Sequence, residues 1–251
     1  MIELVNVTKQ YGDKPVVEDV TCQLPMGKII AFIGSNGAGK STVLSIVSRL
    51  IPATSGSVRV DDIDLEKWNT RELAKTLAIL SQHTAITPRL TVRELVRFGR
   101  FPHTRGRYTA EDDSIVARAL DYMGLNEIAD RFIDELSGGQ RQMAYIAMAV
   151  AQDTKYILLD EPLNNLDMGR SAQIMRLLRR LVEERGKTVI IVIHDINFVS
   201  FHADYVIALR HGKLVRLGPV KDIMNTEALR EIYDIDIAVE DYHGKSLCVY
   251  Y

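Results

Sequence analysis

The sequence predicts an α/β fold: a parallel sheet with helical cover, opened by a small antiparallel β-subdomain and interrupted by a helical insertion. Three observations predict it. An unbroken apolar run, Ile29–Gly34, enters a glycine-rich loop that leads into a helical stretch, Thr42–Leu50. Further on, a helix with Ile174, Leu177, Leu178, Leu181 and Val182 on one face separates the apolar segments Tyr156–Leu159 and Thr188–Ile193. Strands alternating with helices in this order lie parallel in one sheet. Between these two blocks, from about residue 84 to 152, the apolar spacing is helical instead.

Each element has its own local reason. Ile2–Lys9, Val16–Leu24 and Ser57–Val60 read as strands bounded by the turn formers Tyr11-Gly12-Asp13 and Thr54-Ser55-Gly56. Leu77–Ser81 is a short apolar segment before the insertion. Thr91 and Glu94 form a capping-box pair, and Thr109 offers a cap for a helix that runs through Ile115–Met123 and stops at Gly124. Tyr205–Leu209 and Lys213–Leu217 flank a turn containing Gly212, which predicts a hairpin. No internal repeat, low-complexity tract or Gly/Ser linker divides the chain, so residues 1–251 read as a single domain.

Composition narrows the function classes. Of 251 residues, 47% are apolar and 25% charged, close to globular averages, so a folded soluble protein is expected. A net charge of -2 argues against a broadly basic surface, and no nucleic-acid partner is expected. Cys22 and Cys248 lie far apart without metal or redox spacing and read as unpaired thiols in a reducing compartment. The longest apolar runs are strand-sized, whereas a spanning helix needs about 20 apolar residues. Any membrane role is therefore expected to come from a partner.

Gly34-Ser35-Asn36-Gly37-Ala38-Gly39-Lys40-Ser41, followed by Thr42, fits the phosphate-binding pattern G-x-x-x-x-G-K-[ST]. It stands where that motif must stand, after a buried strand and at the start of a helix. Its glycines let backbone N–H groups curl around a β-phosphate, and the helix adds its positive end. Lys40 is then expected to reach the β- and γ-phosphates, and the Ser41 hydroxyl to coordinate Mg²⁺. Asp160 and Glu161 close the apolar strand Tyr156–Leu159. Asp160 is placed to hold the metal through its water shell, and Glu161 to orient or deprotonate a water in line with the γ-phosphate. The expected ligands are ATP and Mg²⁺.

Many proteins share those two elements, and Leu136-Ser137-Gly138-Gly139-Gln140 distinguishes among them. Ser137 and Gln140 also make an S-x-x-Q capping box for a helix Gly138–Ala151. A capped helix start with two glycines is itself suited to an anion, so the two readings are compatible. This run, lying between the phosphate loop and the Asp-Glu strand, resembles the signature of the ABC ATPase family. The resemblance implies a RecA-like P-loop core and a homodimer in which Ser137, Gly138, Gly139 and Gln140 touch ATP held by the other copy.

It also assigns expected roles to isolated residues. Tyr11 resembles the aromatic that stacks on adenine, and Gln82 the glutamine that senses Mg²⁺ and the attacking water. Asn165-Leu166-Asp167 resembles the loop that aligns the two subunits, with Asp167 in the aligning role. His194 resembles the switch histidine on the γ-phosphate. The catalytic set is thus Glu161, His194, Lys40 and Gln82, and the metal set Ser41, Gln82 and Asp160. Two departures are minor: Asp62 stands where relatives often have a turn glycine, and Val43 where leucine is frequent.

Glu161-Pro-Leu-Asn-Asn-Leu-Asp167, with Phe98-Gly-Arg-Phe-Pro-His103, resembles the ATPases of bacterial iron–siderophore importers. Haem, cobalamin or another metal chelate is the alternative cargo. The resemblance implies integral membrane permease subunits, indirectly a substrate-binding protein, and a place on the cytoplasmic face of the cell membrane. Arg97, Arg100, His103, Arg105 and Arg107 form a basic stretch that reads either as a solvated face or as part of the surface that meets a permease. Two rivals are weaker. A GTPase would need an Asn-Lys-x-Asp motif that is absent, and ABC proteins of DNA repair or translation carry long arms or tandem cassettes.

Overall fold

The computed structural model describes residues 1–81, 89–164 and 166–250. It divides into two compact units, Met1–Trp68 with Thr188–Tyr251, and Asn69–Lys187.

The first unit opens with β1 (Ile2–Tyr11) and β2 (Lys14–Leu24), an antiparallel pair joined by a tight turn at Gly12. β3 (Ile29–Ile33) follows and leads through the glycine loop into α1 (Lys40–Val47). β4 (Ser55–Val60) pairs antiparallel with β1, and β5 (Ile63–Asp64) pairs with β4. Asp61 and Asp62 make that last turn with φ of 49° and 65°. Asp tolerates the left-handed region well enough for a two-residue hairpin, so the missing turn glycine is accommodated.

The second unit begins with α2 (Thr70–Thr76), capped by Asn69, and β6 (Leu77–Leu80). The insertion holds α3 (Val92–Phe98), the short α4 (Phe101–Thr104), α5 (Ala110–Tyr122) and α6 (Gly138–Ala151). Its boundaries follow the sequence signals. Thr91 with Glu94, Thr109 with Asp112, and Ser137 with Gln140 each form a reciprocal capping box. α3, α5 and α6 pack on one another through Leu95, Val96, Val116, Leu120 and Ile146, all buried. β7 (Tyr156–Asp160) pairs parallel with β6, and α7 (Met168–Arg185) closes the unit.

Of the two readings left open for the basic stretch, neither a solvated face nor an open docking surface holds for Arg100, which is buried, and Arg97 and His103 are engaged within the unit. Arg100 is only 6% exposed: its Nε donates to Asp112 Oδ1 at 3.0 Å and its Nη1 to the Ala151 carbonyl at 3.0 Å. Arg97 pairs with Asp113 and lies over the Tyr108 ring, and His103 Nε2 sits 2.9 Å from the Gln152 carbonyl oxygen. Arg105 and Arg107 alone of the five are exposed. Asp112, twelve residues from Arg100, supplies the partner that local charge counting overlooks.

The chain then returns to the first unit with β8 (Thr188–Val192), α8 (Ile196–His202), β9 (Tyr205–Arg210) and β10 (Lys213–Pro219). β3 lies between β8 and β9, parallel to both, and β10 turns back antiparallel on β9. Every residue of β3 and β8 is buried, the continuous apolar pattern expected of strands covered on both faces. Three elements beyond those expected end the unit: α9 (Val220–Ile223), α10 (Thr226–Tyr233) and the hairpin β11 (Ala238–Tyr242) with β12 (Lys245–Val249). β12 packs on α8, where Asn197 donates to the Cys248 carbonyl and accepts from its N–H. Both cysteines are buried and free, as expected.

Candidate functional site

In the first unit the glycine loop is fixed from beneath. Gly34 has φ 135°, and a Cβ there would stand 2.0 Å from the Leu209 carbonyl oxygen on β9. Gly39 has φ 98° and a Cβ there would stand 2.8 Å from the Val16 carbonyl oxygen. Both positions need glycine for conformation and for space. Gly37, φ 77°, has open space around it. The turn of the β9–β10 hairpin buttresses the loop as well: Gly212 N–H donates to the Ala38 carbonyl, and its own carbonyl accepts from Glu18 N–H. The sequence flags Gly212 only as a turn; its second role shows only in the fold, where a Cβ at Gly212 would stand 2.7 Å from the Val16 carbonyl oxygen.

Gly39 is the N-cap of α1 and offers no side-chain acceptor, and the first turn carries no acidic residue. The helix therefore presents its positive end with no side chain capping the start. Lys40 is 4% exposed, with Nζ donating to the Gly34 and Ser35 carbonyls at 2.8 and 2.9 Å. Its ammonium is thus folded over the loop it belongs to. Ser35, Asn36 and Gly37 are exposed, Ala38 is buried, and Ser41 and Thr42 follow in the first turn, half-buried. α1 begins at Lys40, two residues before the sequence placed it.

Two other expected residues belong to this unit. Tyr11, at the end of β1, has 56% of its surface exposed with Lys9 Nζ 5.2 Å from its ring centre, so one face of the ring is open to stacking. His194 is exposed just past β8. Because Phe32 and Val192 are register partners in parallel strands, His194 and the glycine loop leave the sheet at the same end, the end where ligands bind in open α/β sheets. A cavity of about 110 Å³ beside His194 is lined by Ile196, Tyr233, Ile235, Ile237 and Tyr250. Burial pushes the Tyr233 hydroxyl well above the ordinary tyrosine range, so it stays protonated there.

In the second unit Asp160 ends β7, 8% exposed, and Glu161 follows with φ 53°. A left-handed glutamate costs on the order of 1 kcal/mol or more, a strain typical of functional positions. The turn is closed by Asn164, whose backbone N–H donates to the Glu161 carbonyl and whose Nδ2 donates to Glu161 Oε2. Gln82 lies outside the described residues, as does Asn165.

Ser137 is the N-cap of α6. Its Oγ accepts from Gln140 N–H at 3.3 Å, and its own N–H donates to Gln140 Oε1 at 3.1 Å. Ser137 and Gly138 are exposed, Gly139 is buried and Gln140 half-buried. Asp167, exposed, is the N-cap of α7 and accepts from Arg170 N–H at 2.8 Å. Arg170, which no sequence motif singled out, joins the two caps: Nη1 donates to Ser137 Oγ at 3.0 Å, and Nε lies 3.3 Å from Asp167 Oδ2. The expected residues thus fall into two groups. The first unit brings together the glycine loop, Lys40, Ser41 and His194; the second brings together Ser137–Gln140 and Asp167, with Asp160 and Glu161 at the end of its own strand.

Comparison with known proteins agrees with this arrangement. The family model described as ABC transporter matches residues 17–164. A petrobactin import ATP-binding protein, YclP of Bacillus subtilis, is 52% identical over 100% of both chains. The iron(3+)-hydroxamate import ATP-binding protein FhuC of the same organism is 42% identical over 96% of this chain and 91% of its own. Among solved structures, a dimeric post-hydrolysis state of the ATP-binding cassette MJ0796, bound to ADP and Pi, is 33% identical with a TM-score of 0.79, covering 88% of this chain and 99% of that one. With its glycine loop, buried lysine and capped Ser-Gly-Gly-Gln helix start, the chain belongs to the ABC transporter family, as one of its ATP-hydrolysing cassettes.

Proposed function

We propose that this chain is the ATPase subunit of an importer that takes up iron–siderophore complexes, working as a single domain at the cytoplasmic face of a membrane. Its partners are a second copy of itself, permease subunits that supply the membrane passage, and, indirectly, a substrate-binding protein. Among the described residues no helix is long and apolar enough to span a membrane. The observation that carries the cargo reading is the 52% identity, end to end, with a petrobactin import ATP-binding protein.

In this reading the N–H groups of Gly34–Thr42 wrap the phosphates of ATP, and Lys40 leaves its loop carbonyls for the β- and γ-phosphates. Tyr11 stacks on adenine. Ser41 and Asp160 are hard oxygen donors of the kind Mg²⁺ takes alongside phosphate oxygens, and Gln82 joins them. The ion, when bound, neutralises charge on the transferring phosphoryl group. Glu161 holds the attacking water, with Asn164 fixing the carboxylate, and His194 contacts the γ-phosphate. The remaining face of that phosphate is met by Ser137, Gly138, Gly139 and Gln140 of the second copy, aligned by Asp167. ATP then binds the closed pair far better than the open one, and that difference in affinity drives the permease.

The test is to purify the chain with its co-isolating membrane protein in lipid and measure ATP hydrolysis with candidate ligands. Ferric siderophores are expected to stimulate turnover. Stimulation by haem or cobalamin instead would replace the cargo, and co-isolation with ribosomes or DNA rather than a membrane protein would overturn the transport reading.

A further inference from the structure

The hydroxyl of Ser137 has a defined hydrogen-bonding state. A serine hydroxyl offers two acceptor lone pairs and one proton. Here both lone pairs are engaged, one by Gln140 N–H at 3.3 Å and the other by Arg170 Nη1 at 3.0 Å. Among the described residues nothing accepts the Ser137 proton, and the residue is exposed. The hydroxyl is therefore left as a donor pointing to solvent.

Arg170 is held for this task. Its Nε lies against Asp167 Oδ2 at 3.3 Å, and its backbone N–H donates to Asp167 Oδ1 at 2.8 Å, so the guanidinium is anchored at the start of α7. It reaches Ser137 through space that only a glycine leaves: a Cβ at Gly139 would stand 2.1 Å from Nη1 and 2.7 Å from Cδ. It is also a cation beside the start of α6, whose cap and first turn carry no acidic residue. At the start of α7 its charge is met by the Asp167 carboxylate.

We propose that Arg170 is a positioning residue: it fills the second lone pair of Ser137, so that the hydroxyl can only donate, and thereby readies it for a γ-phosphate oxygen on the nucleotide of the other copy. The proposal rests on the two-copy reading above. The same guanidinium ties the signature turn to Asp167, so the two segments that face the second copy move as one body.

The test measures MgATP-dependent dimerisation of the full chain by sedimentation in a Glu161→Gln background, for Ser137→Ala, Arg170→Ala, Arg170→Lys and the Ser137→Ala/Arg170→Ala double variant. ADP affinity and thermal midpoint are recorded for each. Ser137→Ala is expected to weaken the dimer at least tenfold. Arg170→Ala should weaken it by a similar factor with unchanged ADP affinity, and the double variant should be no weaker than Ser137→Ala alone, because Arg170 acts through that hydroxyl. Arg170→Lys keeps a donor within reach of Ser137 and should restore most of the loss, which separates positioning from a fold defect. If Ser137→Ala leaves the dimer intact, the two-copy reading itself fails. If Ser137→Ala weakens it while Arg170→Ala does not, or if the two losses add, Arg170 has no such role.

Discussion

Replacing Arg100 by methionine should destabilise the protein by about 3 kcal/mol, the lower end of the range for breaking a buried ion pair. Arg100 and Asp112 are 6% and 5% exposed, and methionine leaves the aspartate carboxylate buried without its cation. The loss sits at the low end because Asp112 Oδ2 keeps the Thr109 N–H and hydroxyl, at 3.0 and 2.8 Å. The Ala151 carbonyl at the end of α6 loses a donor as well. For a chain of this size the midpoint of thermal unfolding should fall by about 6–12 °C.

A double-mutant cycle makes the cause explicit. Asp112→Asn removes the charge while keeping an acceptor for Thr109, and in that background Arg100→Met should cost at least 1.5 kcal/mol less, on the order of a charged hydrogen bond. Circular dichroism melts and urea titrations of the four proteins give the coupling. An Arg100→Met cost under about 0.5 kcal/mol, or a cost independent of residue 112, would refute the reasoning. The pair also sets a pH signature. Burial raises the Asp112 carboxyl, but the Thr109 N–H and hydroxyl and the Arg100 guanidinium more than offset it, so it titrates below the usual aspartate range. A depressed carboxylate stabilises the fold above its unfolded value near 3.8, and that stability is lost as pH falls below it. In Asp112→Asn that part of the acid loss should disappear.

Other outcomes follow from the same coordinates. Gly34→Ala should abolish nucleotide binding, because its Cβ would meet the Leu209 carbonyl oxygen at 2.0 Å. Gly37→Ala, with open space but φ 77°, should cost only about 1 kcal/mol of loop stability and leave measurable binding in a fluorescent-nucleotide titration. Cys22, 5% exposed and with its thiol pushed up to about 12 by burial, should resist iodoacetamide in the native protein and react on unfolding, as read by mass spectrometry. Glu161→Gln should slow hydrolysis at least about a hundredfold while leaving ATP binding in place.

The β-strands were legible because their burial is written as unbroken or alternating apolar runs, as in β3 and β8. The insertion helices were legible at their starts, where Thr91, Thr109 and Ser137 each find a partner three residues on. α9 and the β11–β12 hairpin were not, since short elements with exposed residues carry weak periodicity. α10 does carry a local signal, an apolar face of Ala228, Leu229 and Ile232 behind an Asn225 cap, and was legible in principle. The phosphate loop and the Asp-Glu strand end were visible as local patterns. What escaped notice was contact at a distance in sequence: Asp112 neutralising Arg100, Gly212 beneath the glycine loop, and Arg170 bridging Ser137 and Asp167 across 33 residues. A linear motif names residue types, but it does not say which distant side chain fills a lone pair.

The most direct trial of the central idea is the oligomeric state of the Glu161→Gln chain in sedimentation velocity, with MgATP or with MgADP. Dimers with ATP that separate with ADP are the predicted result. A chain that remains solitary at saturating ATP, while the unaltered protein hydrolyses ATP at a specific rate independent of its own concentration, would contradict the claim that two copies share each nucleotide.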